Sequence, residues 1–165
     1  MKMRPGWLLS ASLALAILAG CGQHSTGSAA ETDPPSPAVT ANDNAWGSYL
    51  AEQGKIHGKE ASSHPFIFLV PEGDSTEALT RRKDLARYVS SSIGPVILPG
   101  STLIFGGRSA AETNAFAQVV GASTKKDALK GSIVLIVSDG EQKELIGKSF
   151  DASQATLRFS KMQQK

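Results

Sequence analysis

Three short polar stretches carry the residue types that could do chemistry, and each follows an apolar run. Glu72 and Asp74 follow Pro65–Val70, Gly106-Gly107-Arg108-Ser109 follows Thr102–Phe105, and Ser138-Asp139 ends Ile133–Val137. Two or three carboxylates gathered on one rim can hold a magnesium ion through oxygen ligands. A glycine pair with an arginine and a serine can set backbone N–H groups and a guanidinium around an anion at a helix start. Glu72, Asp74, Gly107, Arg108, Ser109 and Asp139 are therefore the candidate ligand rim. Against this, Asp74 and Asp139 suit helix N-caps, and the glycine stretch fits neither a dinucleotide-binding nor a Walker pattern. His57-Gly-Lys-Glu60-Ala-Ser-Ser-His64 is metal-capable in type but not in spacing, and reads as a solvated loop. No GxSxG elbow is present, and Ser90-Ser91-Ser92 reads as a helix end. No complete catalytic or metal motif is seen, so no catalytic residue, metal or cofactor is assigned.

The elements that would position the rim follow a repeated plan. Each apolar run is uninterrupted, as expected of strands buried on both faces of a parallel sheet. Each is followed by an apparent capping box: Asp74 with Glu77, Ser109 with Glu112, and Asp139 with Gln142. A helical pattern comes next in each case. The first places Ala78, Leu79, Leu85, Ala86, Val89 and Ile93 on one side and stops at Gly94-Pro95. The second places Ala111, Ala115, Phe116, Val119 and Val120 together and stops at Gly121. The third is short, with Leu145, Ile146 and Phe150. Thr156–Phe159 alternates as an edge strand does. Thr124–Lys130 suits an extra helical turn. Before these units, Trp46, Tyr49 and Leu50 share one face of a helix between an N-cap at 42–44 and a stop at Gly54.

The expected fold is thus α/β: a small three-layer domain over residues 45–165, with a four-stranded, mostly parallel sheet in a β-α-β-α-β-α-β order. It is preceded by a helix and is of flavodoxin-like or Rossmann-like type. A strand order of 2-1-3-4 is one possibility. A thioredoxin-like fold would make Lys143–Phe150 a strand, which the Asp139/Gln142 box opposes. In open α/β sheets, ligands bind beyond the carboxyl ends of the strands, which is where the rim residues fall.

The N-terminus has a different character. Met1–Arg4 is cationic and Trp7–Leu18 is apolar except for Ser10 and Ser12. That run is shorter than the roughly 20 residues a spanning helix needs and has the layout of a secretory signal peptide. It ends at Leu18-Ala19-Gly20-Cys21, the chain's single cysteine. These four residues resemble the lipobox of bacterial lipoproteins. The resemblance implies cleavage after residue 20 and lipidation of Cys21. With Gly rather than Asp at 22, it implies an outer-membrane lipoprotein facing the periplasm of a Gram-negative host. Two or three acyl chains, at about 0.8 kcal/mol per buried CH₂, would anchor the protein stably.

Composition narrows the function further. The chain has 17 basic and 15 acidic side chains, and residues 1–20 hold Lys2 and Arg4, so the remainder is near neutral. Nothing in it suggests a nucleic-acid partner. With Cys21 consumed, no disulfide or thiolate metal site is possible. Residues 21–44 are small, polar and proline-bearing, and read as a lipid-anchored tether of about 25–30 Å r.m.s. span. The expected role is a non-catalytic binding or accessory module of an envelope or secretion assembly, with a protein partner in the periplasm. The alternatives are an immunity protein against a periplasmic toxin, or a divergent enzyme working at the rim on a phosphorylated or sugar substrate. The oligomeric state is not legible.

Overall fold

The computed structural model describes residues 33–59 and 65–163. The expected signal peptide, Cys21, the first part of the expected tether and His64 lie outside the described residues. Helix α1 (Asp43–His57) precedes strand β1 (Phe66–Leu69). There follow α2 (Thr76–Ser92), β2 (Thr102–Gly106), α3 (Ala110–Ser123), β3 (Ile133–Ser138), α4 (Lys143–Phe150), a 3₁₀ turn at Asp151–Ser153, and β4 (Thr156–Lys161). All three strand pairings are parallel, and the order across the sheet is β1-β2-β3-β4. The interleaving of parallel strands and helices is that of flavodoxin-like and Rossmann-like folds. The strand order is not the 2-1-3-4 arrangement considered from the sequence. Residues 143–150 form a helix, as expected, and not a thioredoxin-like strand.

The apolar runs sort by alternation into two cores. Phe68, Leu103, Phe105, Val134 and Ile136 face α2, α3 and α4, where they meet Ala86, Val89, Phe116, Ala117, Val120, Ile146 and Phe150. Ile104, Leu135 and Val137 face the other way and meet Trp46, Tyr49 and Leu50 of α1, with Met162. The result is three layers: α1, sheet, and three helices. β2 and β3 are buried along their whole length, which explains their unbroken hydrophobicity.

Glycine sets how closely α1 lies. Gly54 is no stop: α1 runs on to His57, and a Cβ at Gly54 would stand 2.3 Å from Cδ1 of Ile104. Gly121 likewise lies inside α3, where a Cβ would stand 2.4 Å from Ser149 Oγ and 2.6 Å from the Phe150 ring. Both positions that suggested helix ends are points of close contact. Gly94, by contrast, follows the α2 C-cap Ile93 with a φ of +99°, as a terminating glycine does. Residues 126–131 form hydrogen-bonded turns instead of a helical turn. Leu79, Val119 and Leu145, expected on the inner faces of their helices, are 43–55% exposed.

Part of the expected tether is laid on the domain. Ser36 N–H and Oγ both donate to the Gln163 carbonyl, at 3.2 and 3.0 Å. Trp46 Nε1 donates to the Ala38 carbonyl at 3.3 Å. Asp33 Oδ1 lies 2.6 Å from His57 Nε2. Residues 33–41 therefore form a strap from the C-terminal end of α1 back to its start. His57 belongs to this contact and not to a solvated loop.

Candidate functional site

The six expected rim residues do sit at the carboxyl ends of the strands, but they do not converge. Gly107 is a packing position: a Cβ there would stand 2.6 Å from the Val70 carbonyl oxygen. This lets the β1–α2 connection close against the β2–α3 connection. Ser109 is the N-cap of α3, its side chain accepting from Glu112 N–H. Arg108 points across the rim to α1. Its Nη2 donates to the Ala41 carbonyl and to Asp43 Oδ1, each at 2.7 Å, and its Nε lies 3.5 Å from Glu72 Oε1. The Arg108 side chain is only 14% exposed. It clamps the start of α1 to the strand ends.

Asp74 is exposed and lies one residue before the α2 N-cap, which is Ser75 accepting from Ala78 N–H. The Asp74/Glu77 box is thus displaced by one residue. Asp139 is not an N-cap either. It accepts from Glu141 N–H and from Asn114 Nδ2, both at 3.0 Å, in a turn ahead of α4. α4 starts from Gln142, which makes no side-chain cap. Burial pushes the Asp139 carboxyl up, but these hydrogen bonds outweigh it and hold the group below its ordinary range.

Glu112 is the residue whose role the sequence concealed. It was expected to reach back to its own helix start, yet its Oε1 accepts from Gly73 N–H at 2.8 Å and from Arg82 Nη1 at 2.9 Å. Arg82 also donates to the carbonyls of Pro71 and Gly73. The Glu112 carboxylate therefore ties the first turn of α3 to the β1–α2 connection and to α2, and its Oε2 is buried without a hydrogen-bond partner among the described residues. Asp43 and Asn114, the partners of Arg108 and Asp139, also carried no signal, being 65 and 25 residues away in the chain.

A polar cavity of about 350 Å³ opens beside the Arg108 clamp, lined by Asp43, Glu72, Ser75, Glu77, Arg81 and Arg108 among others. Asp74 and Asp139 do not line it. Its charges pair with one another: Arg108 with Asp43 and Glu72, and Arg81 with Glu77. The oxygen of Ser75 is engaged in capping. Among the described residues, no group of three or more His, Cys, Asp or Glu side chains could hold a metal ion. The rim's chemistry is that of a structural lock joining α1, α2 and α3 to the sheet ends.

A second concave feature lies on the outer surface, between α2 and α3. Two adjoining hollows of about 240 and 420 Å³ share Lys83, Ala86 and Val119. Leu79, Ala115 and Phe116 extend the floor at one end, and Arg87, Ser90, Ser91 and Ser123 border the other. The sequence hid this groove because its outward residues, Leu79 and Val119, fit the helical period of the core.

Comparison of the chain with protein-family models, with curated proteins and with solved structures finds no match. Among the described residues no helix is long and apolar enough to cross a membrane.

Proposed function

We propose that this protein is a lipid-anchored envelope component that presents a non-catalytic α/β domain to a protein partner. The observation that supports this best is the mutual pairing of the charged groups at the strand-end rim, where Glu112 Oε2 and Asn114 Oδ1 are buried without a hydrogen-bond partner among the described residues. Arg108 is committed to Ala41, Asp43 and Glu72, and Glu112 pairs with Arg82 and accepts from Gly73 N–H. An α/β enzyme works with groups left open at those ends. Here the charged groups bond to one another, while an apolar hollow lies elsewhere, at the α2–α3 groove, with Leu79 and Val119 exposed beside it. The lipobox resemblance at 18–21 supplies the anchor, with the outer membrane and the periplasm as the proposed location.

Native mass spectrometry of the protein purified from its own envelope tests the binding role. A bound protein and an empty Arg108 cavity are expected. A small molecule retained there, and lost on Arg108→Ala, would overturn the reading. Labelling with radioactive palmitate tests the anchor: label and membrane fractionation should both disappear in Cys21→Ser. Membrane association that survives this substitution would refute it.

A further inference from the structure

We propose that the α2–α3 groove is the docking surface, and that its occupant is an amphipathic helical segment of a partner protein with acidic residues along one flank. This rests on the protein-binding role proposed above and adds the site and the partner's chemistry.

The groove has the dimensions for such a segment. From Leu79 to Ser91 the α2 wall runs about 18 Å at 1.5 Å per residue, roughly three turns of a facing helix. Its floor is cut by small side chains, Ala86 and Ala115, with Phe116 beside them. Leu79 and Val119 stand at its edges, 43% and 55% exposed. Small residues between larger ones form the hollow that receives apolar side chains spaced i, i+3 and i+4.

Charge selects the occupant. The α2 wall carries Lys83 and Arg87, whereas the α3 wall contributes Ala115, Val119 and Ser123 and no charge. Arg82 at the upper end is neutralised by Glu112. Asp84, which does not line the groove, pairs with Arg87 at 3.2 Å, but both side chains are largely exposed and the pair is screened, so Lys83 is the wall's main positive charge and Arg87 adds to it. One wall is therefore basic and the other neutral, which suits a helix whose acidic residues fall on one side of its apolar stripe. A second copy docking through the same face would bring hollow against hollow and offer no acidic lining residue to Lys83 and Arg87. A membrane surface needs apolar groups that protrude, and this surface is concave.

Selection of a displayed library of random 12-residue peptides on the full chain tests the proposal. Peptides with apolar residues at helical spacing and flanking Asp or Glu should be enriched. Binding of a synthesised winner should fall about tenfold or more in Val119→Glu and in Lys83→Glu/Arg87→Glu, each about 1.4 kcal/mol or more. The same peptide with Lys in place of its acids should bind the Lys83→Glu/Arg87→Glu variant and not the wild type. Circular dichroism melting shows that each variant is folded; Val119, Lys83 and Arg87 are exposed, so folding should survive. Peptides that bind undisturbed by these changes overturn the groove and leave the protein-binding role standing. No enrichment at all overturns the groove, and joined to a ligand at Arg108 it overturns both. Two other results also overturn it. One is binding to phosphatidylglycerol vesicles abolished by the same variants. The other is a concentration-dependent dimer lost in them.

Discussion

Replacing Arg108 by Ala should cost this protein stability, and the size of the loss separates a structural lock from a ligand subsite. The guanidinium is 14% exposed and makes two bonds of 2.7 Å, one to the Ala41 carbonyl and one to Asp43. A charge-assisted bond to a half-buried carbonyl contributes about 1.5–3 kcal/mol. The ion pair with Asp43 contributes less, because Asp43 is 75% exposed and water screens it, leaving about 0.5–1 kcal/mol. Glu72, at 3.5 Å and half exposed, adds little. The sum for Arg108→Ala is a loss of about 2–4 kcal/mol. Urea unfolding of the purified full chain reads this as a lower midpoint at constant slope. A double-mutant cycle with Asp43→Ala should return a coupling of about 0.5–1 kcal/mol. Arg108→Lys keeps the charge but loses the planar fork, and should fall between Ala and the wild type. Amide exchange should quicken at the first turn of α1 in Arg108→Ala, where the clamp is released. A variant within about 0.5 kcal/mol of the wild type, or one more stable than it, would refute the lock. A more stable variant would mark Arg108 as a strained group held ready for a ligand.

Other expectations follow from single contacts. Gly121→Ala gains about 1 kcal/mol of helix propensity and incurs an overpacking cost of about 1–3 kcal/mol against Ser149 and Phe150. Chemical denaturation should show a net loss, and a net gain would mean that α3 and α4 have room. Burial, with the Asp33 charge beside it, pushes the Tyr49 hydroxyl up to about 12. The folded state thus favours the neutral phenol, and this stability is complete below the ordinary tyrosine value and lost as pH rises toward 12. In Tyr88→Phe, absorbance of the phenolate should report Tyr49 alone and appear near pH 12 or with unfolding. Asp139 is held below its ordinary range, so its contribution is present above that range and declines as pH falls through it. Acid unfolding curves of the wild type and Asp139→Asn should be apart at neutral pH and converge in acid.

Much of the architecture was legible because burial writes itself into composition. Leu103–Phe105 and Ile133–Val137 are apolar throughout since both faces of each strand are covered, and such unbroken runs suit a parallel sheet. Strand order was not legible, because it depends on which face each connecting helix packs, and α2, α3 and α4 are amphipathic in much the same way. Cap chemistry was read one residue out at α2, where Asp74 and Ser75 are both good caps and only backbone direction decides between them. At the rim, residue types were visible but partners were not. Glu112 bonds to Gly73 and Arg82, 39 and 30 positions away, and no local pattern records such a contact. The strap escaped notice for a related reason: Ala38 and Ala41 hold Trp46 and Arg108 through their carbonyls, which every residue type possesses.

The β1-β2-β3-β4 order has a kinetic consequence. Every strand's neighbour is the next one made, so the sheet can grow by accretion, each hydrogen-bonded edge templating the strand that emerges after the following helix. Helix α1 is the exception. It is synthesised first, yet it rests on Ile104, Leu135, Val137 and Met162, which straddle the rest of the domain. Its seating can therefore begin on Leu69 and Ile104 of the early strands but is complete only when the carboxy-terminal strand has brought Met162 into place, so part of that apolar side of the sheet stays bare until then.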